Sequence, residues 1–186
     1  MPAAPALERR TYTADEVESW EDAGAYELDD CGRLITRPMG ARAEEAGATV
    51  IHLLTQHVRA TKAGWVFASG LGLQIFPDRP WRMPRADASF IRRERLPALP
   101  DGPLTVPPDL VVAVVSPGNG ADEMRAKAAE YLAAGAELVW VAFPSTRTVM
   151  VYRRSGVNVE FGPNDTITGE NVLPGFEAKV SSFFPE

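Results

Sequence analysis

Residues 109–152 constrain the fold more than any other part of the chain, because strand-like and helix-like patterns follow one another there without interruption. Residues 110–115 are six apolar residues rich in β-branched types, a pattern that predicts a strand covered on both faces. Residues 121–134 are strong helix formers with acidic residues in the first turn. Two more apolar runs, residues 138–142 and 148–152, predict further strands. The order strand, helix, strand, strand indicates an α/β fold.

The rest of the chain adds helices and strands on both sides of this region. Thr13 and Glu16 form a capping box that predicts a short helix ending near Glu21. A longer helix is predicted over residues 41–62, with Gly64 just past its end. Further strands are predicted at residues 26–28 and 33–36, which form a hairpin, at residues 65–68, 72–76 and 86–91, and within residues 157–180, which close the sheet.

Length and composition predict a single domain that does not span a membrane. The chain has 186 residues, of which 45% are hydrophobic, enough for one core and short for two. We expect residues 1–10 to be a disordered arm and residues 11–186 to be one domain. The longest apolar runs reach six residues, far below the roughly 20 that cross a bilayer. The single Cys31 cannot form an internal disulfide, which favours a cytoplasmic location.

The sequence resembles a known family over nearly its whole length. The matching segments are residues 26–34, residues 85–91, PDLVVAVVSPGNGADEMRAKAAEYLAAGAELVWVAFPSTRTVMVYRRSG and LPGFEAKVSSFF. They resemble the Uma-two family of restriction-endonuclease-like proteins, within the PD-(D/E)XK nuclease superfamily. This resemblance implies a restriction-endonuclease-like central mixed β-sheet flanked by helices, with an N-terminal helix and hairpin.

The resemblance also implies a site for metal-dependent phosphodiester hydrolysis. Such a site needs two or three carboxylates on Mg²⁺ or Mn²⁺, and a cation that activates water or stabilises charge on the phosphate. Asp87 matches the first acidic residue of the nuclease motif and is the expected metal ligand. Lys127 matches the catalytic lysine, which in this family lies on the helix after the second motif strand. Glu27 matches an upstream acid that is sometimes counted in the site.

Ala113 departs from the family pattern at the second metal ligand. The family strand reads PDLVVEVLSP, whereas this chain has PDLVVAVVSP, with Ala113 in place of the glutamate. A methyl group cannot coordinate a hard cation, so we expect metal affinity to fall and hydrolysis to be weak or absent. Asp109 lies four residues earlier, about 13 Å away along an extended strand, and is therefore not expected to replace the missing ligand.

Each candidate residue also has a structural interpretation. Asp87 is on a predicted buried strand, where a metal, a cation or hydrogen bonds must compensate its charge. Lys127 could instead form a surface ion pair with Glu123, four residues earlier on the same helix. Glu27 could be a solvated residue of the hairpin.

Six arginines are concentrated in the segment from Arg79 to Arg95, on either side of Asp87. They are Arg79, Arg82, Arg85, Arg92, Arg93 and Arg95, with Trp81 among them. One interpretation is a solvated, salt-bridged surface, and the other is a phosphate-facing rim around the carboxylate site. The net charge of −6 argues against strong non-specific attraction to nucleic acid.

Two classes of function remain open at this stage. The first is a Mg²⁺- or Mn²⁺-dependent endonuclease that uses Asp87 and Lys127 and is weak or inactive because of Ala113. The second is a catalytically degenerate module of the same fold that binds DNA or a protein partner. Exposed sheet edges favour a homodimer. No nucleotide cofactor is expected, because the sequence Gly118-Asn119-Gly120 lacks the further residues of a phosphate-binding loop.

Overall fold

The computed structural model describes residues 10–36, 40–116 and 120–184. The predicted disordered arm therefore lies outside the described residues, except for Arg10. In these ranges the α-helices are α1 (Ala14–Glu18), α2 (Ala41–Thr61) and α3 (Ala121–Ala134). The strands are β1 (Tyr26–Leu28), β2 (Leu34–Thr36), β3 (Gly64–Ala68), β4 (Ala88–Arg92), β5 (Leu110–Val114), β6 (Leu138–Phe143), β7 (Thr148–Arg153), β8 (Val159–Phe161), β9 (Thr166–Thr168) and β10 (Glu177–Lys179).

A six-stranded mixed sheet forms the centre of the fold. Its strands are arranged in the order β3-β4-β5-β6-β7-β8. The pair β5 and β6 is parallel, whereas the other neighbouring pairs are antiparallel. Because α3 lies between β5 and β6 in the chain, it provides the crossover that a parallel pair requires. The predicted α/β class with a central mixed sheet is confirmed.

Both faces of the sheet are covered by helices, and the side chains of β5 alternate between them. Leu110, Val112 and Val114 belong to the core that includes the buried residues of α2. Val111 and Ala113 belong to the core that includes the buried residues of α3. Successive strand residues point to opposite faces, so a strand buried on both faces must be apolar throughout. The uninterrupted apolar run in the sequence is therefore explained by two-sided burial.

The N-terminal helix and hairpin form a smaller unit beside the sheet. The Thr13 side chain accepts a hydrogen bond from the Glu16 amide at 3.2 Å, as the capping box predicts. The helix ends at Glu18 rather than near Glu21. The predicted hairpin is present, and Gly32 has a φ of 72° in its turn, a value that favours glycine. The buried core of this unit consists of Ala14, Val17, Leu28 and Met83.

Two strand predictions are wrong. Residues 72–76 do not form a strand; Gly72 and Leu73 make isolated bridges to Arg85 and Leu104 instead. The predicted closure of the sheet by the C-terminal strands is also incomplete, because only β8 among them joins it. β9 and β10 pair with each other in a separate two-stranded sheet, and Ile167 of β9 packs into the core on the α2 side.

The glycines at the two helix ends have different roles. Gly135 ends α3 as predicted, with a φ of 128°. Lys62, rather than the predicted Gly64, has the left-handed conformation at the end of α2, with a φ of 57°. Gly64 begins β3, where a Cβ atom would lie 2.0 Å from the carbonyl oxygen of Ile91.

Within the described ranges, no helix is long and apolar enough to cross a membrane.

Candidate functional site

Asp87 is buried immediately before β4, beside Ala113. The residue is only 2% exposed to solvent. The Asp87 amide donates to the carbonyl of Val112 at 3.0 Å, and Oδ2 of Asp87 accepts from the amide of Val114 at 2.6 Å. These two hydrogen bonds bracket Ala113 on the neighbouring strand. The carboxylate thus lies next to the position where the family pattern has its glutamate.

Glu27 and Lys127 form an ion pair although one hundred residues separate them in the chain. Nζ of Lys127, on α3, lies 3.3 Å from Oε1 and 3.5 Å from Oε2 of Glu27, on β1. The two side chains are 11% and 5% exposed, respectively. Glu27 is therefore buried rather than a solvated hairpin residue, and Lys127 is partly buried; the alternative pairing of Lys127 with Glu123 stays a prediction. Which chemical roles these residues have stays a prediction.

The backbone of Arg85 connects these two residues. Its amide donates to Oε1 of Glu27 at 3.1 Å, and its carbonyl accepts from Nζ of Lys127 at 3.5 Å. Because Asp87 follows two residues later, the same short segment positions the three candidate residues: Glu27, Asp87 and Lys127. The structure brings them into one region, with Lys127 joined to it through Glu27 and Arg85.

The Arg85 side chain fixes the surrounding elements, a role that sequence reasoning missed. Its guanidinium group is 4% exposed and donates to Glu18 at 2.6 Å. It also donates to the carbonyls of Tyr26 at 2.7 Å, Ala23 at 2.9 Å, and Gly70. A buried arginine next to an aspartate is not distinguishable in the sequence from an exposed one. Residues 85–91 resemble the family at this position, but the resemblance does not indicate a structural role for the Arg85 side chain.

An open cavity of about 190 Å³ lies at this point. Glu27, Asp87 and Arg85 contribute to its wall, and sequence reasoning missed Glu44, which joins them from the first turn of α2. The remaining wall residues are Gly24, Ala25, Tyr26 and Ser69. The cavity can hold water or a small ligand. Lys127 is connected to this wall through its ion pair with Glu27.

The donor set does not fit a divalent metal ion as the family pattern would require. In the described ranges, no three histidine, cysteine, aspartate or glutamate residues form a group that could hold a metal. Glu27 accepts from Lys127 and from the Arg85 amide, and Asp87 accepts from the Val114 amide. Ala113 provides no donor atom. Mg²⁺ and Mn²⁺ prefer several oxygen ligands, which these side chains do not present together.

The arginines between Arg79 and Arg95 are mostly paired with carboxylates. The nitrogen to oxygen distances are 2.7 Å for Arg79 and Asp30, 2.8 Å for Arg82 and Glu130, 2.6 Å for Arg85 and Glu18, 2.6 Å for Arg92 and Glu137, and 2.8 Å for Arg95 and Asp109. Arg93 lies over the ring of Trp65 at 3.9 Å. These contacts match the salt-bridged part of the first interpretation, although Arg82 and Arg85 are buried rather than solvated, and they leave little support for a phosphate-facing rim.

The pairing of Arg82 with Glu130 changes the protonation behaviour of both groups. Burial works to raise the pKa of Glu130, but its hydrogen bond to Arg82 and the charges of Arg82 and Arg79 outweigh burial and lower the pKa below its usual value. Burial likewise works to lower the pKa of Arg82, and the hydrogen bond and charge of Glu130 raise it instead. Both groups are therefore held in their charged forms.

Asp109 lies just before β5, at the end of the strand away from Ala113, and both of its carboxylate oxygens accept hydrogen bonds. Its residue is fully buried, and its oxygens accept from the Arg92 amide at 2.9 Å and from the Arg95 guanidinium at 2.8 Å. These contacts agree with the expectation that Asp109 does not replace the missing ligand.

The predicted lack of a nucleotide site concerns Gly118 and Asn119, which lie outside the described residues, and stays a prediction.

The mixed sheet, with an aspartate beside β5 and a lysine on the following helix, defines a restriction-endonuclease-like α/β fold. The Uma2 family, described as "Putative restriction endonuclease", matches residues 14–181, and the chain belongs to this family.

A solved structure also resembles this chain. It is the crystal structure of "a putative nuclease belonging to DUF820" from Anabaena variabilis, with a TM-score of 0.76 and 20% sequence identity over 93% of this chain and 97% of that chain. At this identity the likeness establishes the shared fold. The curated proteins contain no significant match.

Proposed function

We propose that this protein keeps the nuclease fold of its family, while its metal-dependent phosphodiester hydrolysis is weak or lost. The observation that carries this proposal is Ala113, which is 3% exposed and lies between the two hydrogen bonds that Asp87 makes to β5. In the family pattern this position has a carboxylate. The side chain that replaces it is part of the apolar core on the α3 side.

The contacts of the remaining carboxylates support the same proposal. Glu27 is paired with Lys127, and Asp87 accepts from a backbone amide. A divalent ion would have to displace or share these partners, and it would gain two carboxylates where the family pattern provides more. Removing one anionic ligand from a site with few protein ligands lowers metal affinity. Hydrolysis that depends on the metal falls with it.

The alternative function is a binding module that uses the same fold without turnover. The carboxylate partners of five arginines between Arg79 and Arg95 and the net charge of −6 favour a protein partner over DNA. A homodimer is one such partner, and β8 at the edge of the sheet is the element that favours it.

Restoring the missing carboxylate tests the proposal directly. The Ala113→Glu variant should bind Mn²⁺ in titration calorimetry and nick supercoiled DNA in the presence of Mg²⁺ or Mn²⁺, whereas the native protein should do neither. Ala113→Gln is the matched control, because it adds nearly the same volume without charge. It should behave like the native protein.

Two results would contradict the proposal. One is equal Mn²⁺ affinity of the native protein and the Ala113→Glu variant. The other is metal-dependent nicking by the native protein that disappears in the Asp87→Ala variant, since this would show that the site works without the second carboxylate.

A further inference from the structure

The N-terminal helix and hairpin, residues 10–36, form one wall of the cavity at the candidate site. Residues 24–27 line the cavity on this side, and Glu44, Arg85 and Asp87 line it from the rest of the chain. We propose that residues 10–36 are a lid that opens as a unit, and that the buried guanidinium group of Arg85 is the clasp that keeps it closed. This proposal rests on the proposed function and deepens it, since it names how access to the same site is controlled.

The closed lid keeps ligands away from the carboxylates of the cavity wall. Glu27 and Asp87 belong to this wall, yet the two residues are only 4% and 2% exposed. The cavity volume of about 190 Å³ is below the range of about 300–1,000 Å³ that is usual for ligand pockets. A ligand of ordinary size therefore reaches these carboxylates only when the wall formed by residues 24–27 moves away.

The lid has a small apolar core. Among the described residues, this core consists of Ala14, Val17 and Leu28 from the lid and Met83 from the rest of the chain. The cores on the two faces of the central sheet are much larger. Segments with few buried apolar contacts open at a lower free energy than the whole domain. Polar contacts therefore supply much of what holds the lid closed.

The Arg85 side chain, which is 4% exposed, joins separate parts of the lid. Its guanidinium group donates to the Glu18 carboxylate at 2.6 Å and to the carbonyls of Ala23 at 2.9 Å and Tyr26 at 2.7 Å. It also donates to the carbonyl of Gly70, which lies outside the lid. A guanidinium group has five N–H donors in a fixed plane, whereas a lysine has three donors on one atom. One arginine therefore holds the helix and the hairpin at the same time.

Further polar contacts reach the lid only at its hairpin. They join Arg79 to Asp30, Trp81 to the Asp30 carbonyl, Arg82 to the Leu28 carbonyl, and Lys127 to Glu27. Arg85 differs from these residues because it also binds Glu18 on α1. Loss of the Arg85 side chain should therefore release the helix and weaken the attachment of the hairpin together.

Hydrogen exchange of the Leu28 and Met83 amides, followed by NMR, measures opening of the lid. Both residues are fully buried, and each amide donates to the carbonyl of the other across the boundary of the lid. In the native protein they should exchange through an opening that costs less free energy than global unfolding, whereas the amides of β5 and β6 should exchange only on global unfolding. Exchange of all these amides with one common free energy overturns the lid.

Val151→Ala separates opening of the lid from unfolding of the domain. Val151 is 1% exposed in β7 and belongs to the core on the α2 side, not to that of the lid. Because the open form keeps this core, the substitution should accelerate exchange in β5 and β6 and leave the Leu28 and Met83 amides unchanged. Equal acceleration at both places would show that the lid opens only with the whole domain, and this result overturns the proposal.

Arg85→Met tests the clasp. It should accelerate exchange of the Leu28 and Met83 amides roughly tenfold or more, because buried carbonyls and a carboxylate lose a charged donor. Arg85→Lys keeps the charge with fewer donors and should accelerate exchange to a smaller extent. Arg93→Met is the matched control, since Arg93 is exposed and lies over the Trp65 ring rather than against the lid. Native exchange rates in both Arg85 variants overturn the role given to Arg85.

Labelling of carboxyl groups with a water-soluble carbodiimide and glycine ethyl ester, read by mass spectrometry, tests access to the cavity. Arg85→Lys should raise the labelling rate of Asp87 by the same factor as the exchange rate of the Leu28 amide, because both report one opening. Asp109 is fully buried at the other end of β5 and should be labelled far more slowly in both proteins. An unchanged Asp87 rate beside accelerated Leu28 exchange overturns the role of the lid in access.

These outcomes are distinguishable from failure of the proposed function, because neither exchange nor labelling involves a metal or a cleavage assay. Metal-dependent nicking by the native protein contradicts the proposed function and leaves the lid in place. Exchange of the lid only together with β5 and β6 contradicts the lid alone.

Discussion

Arg82 and Glu130 form a two-point ion pair, in which Nε of Arg82 lies 3.2 Å from Oε1 of Glu130 and Nη2 lies 2.8 Å from Oε2. Arg82 also donates to the carbonyl of Leu28 at 2.6 Å. This contact set joins the loop before β4 to the hairpin and to α3. Because Glu130 follows Lys127 by less than one helical turn, the ion pair stabilises the same region as the candidate site.

Replacing Glu130 by glutamine should lower the free energy of unfolding by about 1–3 kcal/mol at neutral pH, because the two side chains are only 10% and 16% exposed. The pKa of Glu130 is lowered in the folded protein. Its contribution is therefore fully present above its ordinary value of 4.5 and is lost as the pH falls through the lower folded value. The difference between native and variant, measured by urea unfolding, should close below pH 4.5.

Glu45→Gln is the control for this prediction, because Glu45 is exposed on α2. This variant should differ from the native protein by less than about 0.5 kcal/mol. If the difference between native protein and Glu130→Gln stayed constant down to about pH 3, the proposed linkage would be wrong.

Two glycine to alanine substitutions should have opposite effects on stability. At Gly64, the added Cβ would lie 2.0 Å from the Ile91 carbonyl oxygen, so β3 and β4 would be forced apart at a cost of about 2–3 kcal/mol. At Gly47, inside α2, no atom outside the adjacent backbone of the helix lies within 4 Å of the added Cβ, and alanine should stabilise the helix by about 0.5–1 kcal/mol. Thermal unfolding of both variants shows whether each substitution raises or lowers the stability. Shifts of the Tm in the same direction would contradict this account of Gly64.

The edge of the sheet predicts self-association through β8. β8 pairs with β7, and in the described part of the chain no strand pairs with its other side. Val157 and Val159 near this edge are 64% and 39% exposed. We expect a dimer in analytical ultracentrifugation, and Val159→Lys should shift it to the monomer because a lysine on an edge strand opposes pairing.

Thr168→Lys, on the exposed face of β9, adds the same charge away from this edge and should leave the dimer intact. A native protein that sediments as a monomer at all concentrations, or equal effects of the two lysines, would rule out this interface.

Much of the fold was predictable because its signals are local. The β-branched run in β5 and the glycine that ends α3 act within a few residues, and the structure confirms both. The strand predicted at residues 72–76 failed because its backbone groups bind partners outside a regular ladder, such as Pro84 and Leu104. The separate pairing of β9 and β10 likewise depends on contacts that periodicity does not encode.

The candidate site was less predictable, because its contacts join distant parts of the chain. The resemblance to a family pointed to Glu27, Asp87 and Lys127, but the ion pair across one hundred residues is a property of the folded chain. The buried role of Arg85 and the position of Glu44 in the cavity wall had no local signal. Clustering of arginines in the sequence was also ambiguous, since their carboxylate partners come from α1, α3 and several loops.

The neutralised arginines have a consequence for encounters in solution. The carboxylate partners of five of these arginines lie within a few ångströms, so an approaching molecule meets mainly the field of the net charge of −6, which salt screens over a Debye length of about 8 Å at physiological ionic strength. We expect a long polyanion that diffuses towards the protein to be repelled rather than steered. Added salt should therefore speed such encounters, which is the opposite of what a basic nucleic-acid-binding surface produces.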